Sequence, residues 1–133
     1  MKPKDASVNL TDLHPEVLAA QAIIERTFKE ALHWCINQEP IATSGAEGTP
    51  DNGVHSAKSL HYPANCPGGL GLALDLRTRD VGERWAFLLD QELGPGWDVI
   101  YEKDHIHIER DYKKKPLQDP TGGSTISGGP PKT

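Results

Sequence analysis

The chain has 133 residues, a hydrophobic share of 36% and a net charge of −5, which is room for one domain with a single core. The acidic balance argues against nucleic-acid binding, because the one basic run, Lys113-Lys114-Lys115, reads as a solvated strand end. No apolar run approaches the roughly 20 residues of a membrane span, and Met1-Lys2-Pro3-Lys4-Asp5 is not followed by the apolar stretch of a signal peptide. Synthesis in the cytoplasm is therefore expected, with any action outside depending on release by something else.

Residues 1 to about 10 read as a frayed arm. Pro15 suits the first turn of a helix, and Val17, Ile24, Phe28, Ala31 and Cys35 recur at helical spacing. A helix is expected from about His14 to Asn37, with His14, His33 and Trp34 as packing and capping groups and Cys35 as a small core residue. Pro40 to Ser44 reads as a short strand. The polar stretch from Gly45 to Ser59 then reads as a loop; loops of this length are often functional, and this one runs into His61. His55 within it reads as an ordinary exposed histidine. Cys66 sits in a Pro/Gly loop, with a role as a fourth metal ligand as the minor alternative, and two cysteines make no disulfide framework.

From Gly69 to Arg77, Leu72, Leu74 and Leu76 alternate with Ala73, Asp75 and Arg77. That is a strand with one apolar face and Asp75 on the other. Asp80-Val81-Gly82-Glu83 has capping-box spacing and opens a second helix that runs to Leu93, stopped by Gly94 and Pro95. Trp97 to Glu102 and His105 to Arg110 read as two strands joined tightly around Lys103-Asp104. From Pro116 onward the Gly/Pro-rich sequence cannot bury enough apolar surface to offset its ordering entropy. The division is thus a folded domain over 1–115 and a flexible tail over 116–133. The order of elements predicts an α+β fold, a small and mainly antiparallel sheet with helices on one face.

The chemistry concentrates in two clusters. Side chains alternate along a strand, so His105, His107 and Glu109 share one face while Ile106 and Ile108 share the other. Upstream lie Ser59-Leu60-His61-Tyr62 and Gly71-Leu72-Ala73-Leu74-Asp75. Together they supply ligand types that zinc accepts, and a hydrolytic zinc takes three protein ligands and keeps one position open. His61, Asp75 and His107 are the expected metal ligands. A carboxylate must take a proton from the attacking water and pass it to the leaving amine; Glu102 and Asp104 are the candidates. His105 is expected to hydrogen-bond the base or the oxyanion.

At these residues the chain resembles the LAS-type zinc peptidases: D-alanyl-D-alanine carboxypeptidases and dipeptidases, murein endopeptidases and the L-alanyl-D-glutamate peptidases found as phage endolysins. It is also similar to the hedgehog signalling domain, which shares that fold. The pattern is Ser-x-His, Gly-x-Ala-x-Asp and a later acidic residue before His-x-His, met here by Ser59-Leu60-His61, Gly71 to Asp75, and Glu102 with His105-Ile106-His107. The resemblance spans roughly residues 10 to 112. It implies zinc ligands at His61, Asp75 and His107, the base at Glu102 and an accessory histidine at His105. Three departures stand out. Residues 63–69 are inserted between the first His and the Asp. Ala46-Glu47 follows Thr43-Ser44-Gly45 where many peptidases carry a substrate-holding Arg, with Lys58 or His55 as conceivable substitutes. Endolysin-like spacing favours Asp104 as the base where hedgehog-like spacing favours Glu102.

The implied function is a monomeric zinc peptidase acting on the stem peptide of bacterial peptidoglycan, in the manner of a phage or prophage endolysin, with no nucleic-acid or membrane partner. The alternative is a non-catalytic, zinc-containing hedgehog-like binding module. A third reading, the least favoured, is a phage structural protein that keeps only the fold.

Overall fold

A computed structural model of the chain describes residues 1–32, 38–51, 53–78 and 82–117. The elements, in order, are β1 (Lys2–Pro3), α1 (Pro15–Leu32), β2 (Ile41–Ser44), β3 (Ala73–Arg77), α2 (Gly82–Leu93), β4 (Trp97–Tyr101) and β5 (His105–Arg110), with 3₁₀ turns at Pro63–Asn65 and Pro67–Gly69. The strands form one sheet in the order β1-β2-β3-β5-β4. β1 runs parallel to β2, and every other neighbouring pair is antiparallel. The class is α+β, a mostly antiparallel five-stranded sheet with two helices. No helix among the described residues is long and apolar enough to cross a membrane.

The alternating strands produce two unlike sheet faces. Leu72, Leu74, Leu76, Ile106 and Ile108 are all fully buried and share one core with Val17, Ile24 and Phe28 of α1 and Trp85 and Leu89 of α2. Phe28 and Trp85 meet edge to face at 4.8 Å, a favoured aromatic geometry. The buried Trp85 indole donates to Thr27 Oγ1 at 3.0 Å, and that hydroxyl in turn donates to the Ile23 carbonyl at 2.7 Å. No polar atom in this contact is left without a partner. α1 starts where Pro15 predicts, and His14 Nδ1 accepts the Glu16 amide at 3.1 Å, satisfying one of the donors a helix start leaves open. α2 ends at Gly94, whose φ of 84° is a conformation glycine adopts without strain.

Arg110 closes the lower edge of the core. Its side chain is 2% exposed and ion-pairs with Glu16 at 2.8 Å. The guanidinium also donates to the carbonyls of Gly96, Asp111, Lys115 and Pro116. A buried charge is tolerated when it is paired and its donors are satisfied, and here the same donors tie residues 115 and 116 to the sheet. The Pro116 carbonyl is thus held by Arg110.

Three expectations change. The frayed arm over 1–10 is a structured edge. Lys2 N donates to Pro40 O at 3.1 Å and Lys4 N to Ala42 O at 2.9 Å, and Val8 is buried. Residues 69–72 do not belong to the strand; Gly69 ends a 3₁₀ turn, and Gly71 makes only an isolated bridge to Leu13. β4 stops at Tyr101, so Glu102 lies in the turn, where Lys103 takes a φ of 66°. The expected end of α1 at Asn37, with His33, Trp34 and Cys35, lies outside the described residues. So do the capping residue Asp80 and the tail from 118.

Candidate metal centre

The open face of the sheet carries the titratable groups. Asp75 lies in the middle of β3, directly opposite His107 of β5, and Ser44 of β2 is its partner on the other side. Asp75 Oδ1 is the hub. It sits 2.9 Å from His107 Nδ1, 3.2 Å from His61 Nε2 and 4.0 Å from His105 Nε2. The His61 and His107 rings meet at 5.2 Å. His61, Asp75 and His107 are therefore brought together around one oxygen, with His105 at the margin.

His61 comes from the loop before the 3₁₀ turns and is 1% exposed. Its Nδ1 lies 2.9 Å from the Gly45 carbonyl oxygen. A carbonyl only accepts, so the hydrogen at this contact belongs to Nδ1. Nε2 then faces Asp75 Oδ1 off hydrogen-bond geometry and is a buried nitrogen without a hydrogen-bond partner. Buried polar atoms are almost always satisfied. A buried imidazole nitrogen without a hydrogen-bond partner, facing a carboxylate oxygen, makes a place for a cation.

His55 joins the same place, although it reads as exposed in the sequence. Its ring stacks on His61 with centroids 4.1 Å apart and planes 10° from parallel, and its Nε2 is 3.0 Å from Ser44 Oγ. The fully buried Tyr62 fixes this stretch of loop, since its hydroxyl accepts the His55 amide at 2.8 Å and reaches the His55 carbonyl at 3.2 Å. His55, His61 and Asp75 each offer one ligand atom, all within 4.8 Å of one another. This group could hold a metal ion.

The charges follow from these contacts. Burial by itself would raise the Asp75 pKa, but the hydrogen bond from His107 and the adjoining His61 imidazole outweigh it and hold the carboxyl well below the usual range. Burial would lower the His107 pKa, but Asp75 and Glu109 push it up to about 9. His55 is lowered, first by burial and then by the adjoining His61 imidazole, which favours the neutral, ligand-competent ring.

His105 Nε2 lies 3.8 Å from Glu102 Oε2, so this ring nitrogen stands between Glu102 and Asp75. Asp104 binds the other nitrogen, Nδ1, at 2.7 Å and is 89% exposed. Glu47, which stands where an Arg would be expected, is turned inward to the loop: its carboxylate accepts Ser44 Oγ at 2.6 Å and the amides of Gly45 and Asn9. Cys66 takes no part in the metal-capable group. It is buried, its Sγ is 3.3 Å from the Leu60 carbonyl, and burial pushes its thiol pKa up. Lys58, with Leu60, Glu109, Asp111, Tyr112 and Lys113, lines a cavity of about 410 Å³. Comparison with protein-family models, curated proteins and solved structures finds no match.

Proposed function

We propose that the chain is a zinc-dependent peptidase of the LAS type with a hedgehog-like fold, hydrolysing an amide bond in the stem peptide of bacterial peptidoglycan and working as a monomer after release to the wall, as a phage or prophage endolysin would. The observation that carries the metal reading is the buried His61 Nε2, which faces Asp75 and has no hydrogen-bond partner. The donor set supports zinc: imidazole nitrogens with one carboxylate oxygen suit it, whereas calcium and magnesium favour oxygen donors alone. His61, Asp75 and His107 would hold the ion, with His55 within reach.

Zinc held there supplies a Lewis acid and makes a water nucleophilic near neutral pH. The proton work falls to Glu102. It is half-exposed, so substrate and water can reach it. It takes a proton from the attacking water and returns it to the leaving amine, so that the base is regenerated when the C–N bond breaks. Glu102 is preferred over Asp104 because it approaches the His105 nitrogen nearest Asp75, while Asp104 binds the nitrogen on the exposed side. His105 orients that carboxylate. The cavity beside Glu109 is the space in which the rest of the peptide would lie.

One observation favours the binding module. His55 joins His61 and Asp75 in the group that could hold an ion; were His107, on Asp75, to bind as well, the site would have four protein ligands and be closed, as in structural zinc centres, while a catalytic one keeps a position open. The deciding experiment measures metal content and peptidoglycan cleavage on the purified chain, with and without chelator. One zinc per chain, with cleavage lost on chelation and restored by zinc, supports the peptidase. Zinc without cleavage of any wall type supports the module, and failure to bind metal overturns both.

A further inference from the structure

His107 touches a carboxylate on each side of its ring. Nδ1 lies 2.9 Å from Asp75 Oδ1, and Nε2 lies 3.1 Å from Glu109 Oε1. Asp75 belongs to the centre, and Glu109 lies outside it. We propose that Glu109 is a positioning residue that commits His107 to present Nδ1, not Nε2, to a zinc ion, an inference that rests on the metal reading above.

An imidazole can bind a metal through either nitrogen, and a half-turn of the ring would exchange them. The partner of the remote nitrogen settles the choice. An ionised carboxylate only accepts, so the hydrogen at the Glu109 contact belongs to Nε2. Asp75 makes the same demand on Nδ1, so without a metal both nitrogens hold a hydrogen; a cation beside Asp75 would displace the one on Nδ1 and leave its lone pair there, while Glu109 keeps the hydrogen of Nε2. The contact is also built into rigid structure. Glu109 follows His107 by two residues on β5 and shares its face. β5 is paired on one side with β3 and on the other with β4, and Glu109 has a partner on both sides. Directly opposite Glu109 stands Ala73, whose methyl side chain leaves the space beside it to the longer carboxylate. No loop movement is needed to make the contact, so it is in place before a metal arrives.

The test compares the wild-type chain with Glu109→Ala and Glu109→Gln. Zinc affinity is measured by chelator competition, and the ligand set by the visible absorption of the Co²⁺-loaded protein. Outer-shell partners of ligating histidines are typically worth about 10- to 100-fold in metal affinity. Glu109→Ala should lose affinity on that scale and change the Co²⁺ spectrum. Glu109→Gln, whose amide oxygen still accepts the Nε2 hydrogen, should retain most of the affinity. If Glu109→Ala does not fold, Glu109→Met fills the same space without an acceptor and should show the same loss. A merely structural Glu109 would lower the stability of the metal-free chain and leave zinc affinity and the Co²⁺ spectrum unchanged. That result, in a wild type that binds zinc, overturns the inference alone. A wild type that binds no metal overturns the metal centre with it.

Discussion

Stripped of metal by chelator, the protein should lose stability as the pH is raised past neutral. The group responsible is His107, whose pKa stands at about 9 in the folded chain against about 6.5 for the free side chain. A folded pKa above the unfolded one means that the native state holds its proton more tightly. The stabilisation is therefore fully present below about pH 6.5 and is lost as the pH rises through about 9. The His107 side chain is only 18% exposed, so solvent screening removes little of the effect. The difference corresponds to at most about 3 kcal/mol. Asp75 is the opposite case: its depressed pKa gives stability that is present above about pH 4 and is lost as the pH falls. The two shifts describe the same contact from its two partners and are not added. Urea unfolding in chelator, at about pH 6 and about pH 10, should show the decline in the wild type and a much flatter profile in His107→Gln. Saturating zinc should reverse the trend, because the proton on Nδ1 competes with the metal and that competition fades as the pH rises. A wild-type profile as flat as that of His107→Gln would mean that His107 is not charged in the folded chain. The account of His107 as an imidazolium held between Asp75 and Glu109 would then fail.

Two further outcomes are expected. Glu102→Gln should keep zinc and lose turnover by on the order of 10²- to 10⁴-fold, while Asp104→Asn stays close to wild type in assays of peptidoglycan cleavage; the opposite pattern moves the base to Asp104. Gly45→Ala should destabilise the fold by about 1–3 kcal/mol, read by urea unfolding, because a methyl group there would come within 2.2 Å of the Asn9 carbonyl oxygen; a wild-type midpoint would show that the loop yields freely.

The parts of the fold that were legible are those with a side-chain period. Ile106 and Ile108 against His105 and His107, or Leu74 and Leu76 against Asp75, announce a two-faced strand because burial alternates with the pleat. Val17, Ile24, Phe28 and Ala31 announce α1 in the same way. β1 was not legible. Lys2 and Pro3 are exposed, and what orders them is the backbone pairing of Lys2 and Lys4 with β2, which leaves no trace in side-chain type. Glu109 was visible on the face of His107, but sharing a face does not reveal a hydrogen bond. His55 was missed for another reason. A loop has no period, and the cue lies in a different residue: the buried hydroxyl of Tyr62, which holds the His55 backbone in place.

Ser44 shows how a small irregularity can serve the site. Ala42 pairs with Leu76, so an uninterrupted antiparallel ladder would pair Ser44 with Leu74 and turn it toward the core like Ala42. The ladder slips between these two residues, and Ser44 pairs with Asp75 instead. One extra residue in a strand re-aims the side chains that follow it, and such bulges are common beside functional sites. The slip delivers the Ser44 hydroxyl to His55 Nε2 at 3.0 Å and to Glu47 Oε2 at 2.6 Å. It also ends β2 where the Gly45 carbonyl can take the hydrogen of His61 Nδ1. That last contact is what leaves His61 Nε2 as the nitrogen facing Asp75. The unpartnered atom on which the metal reading rests is thus set by the register of an edgeward strand, and neither Thr43-Ser44-Gly45 nor Ser59-Leu60-His61 contains that register when read alone.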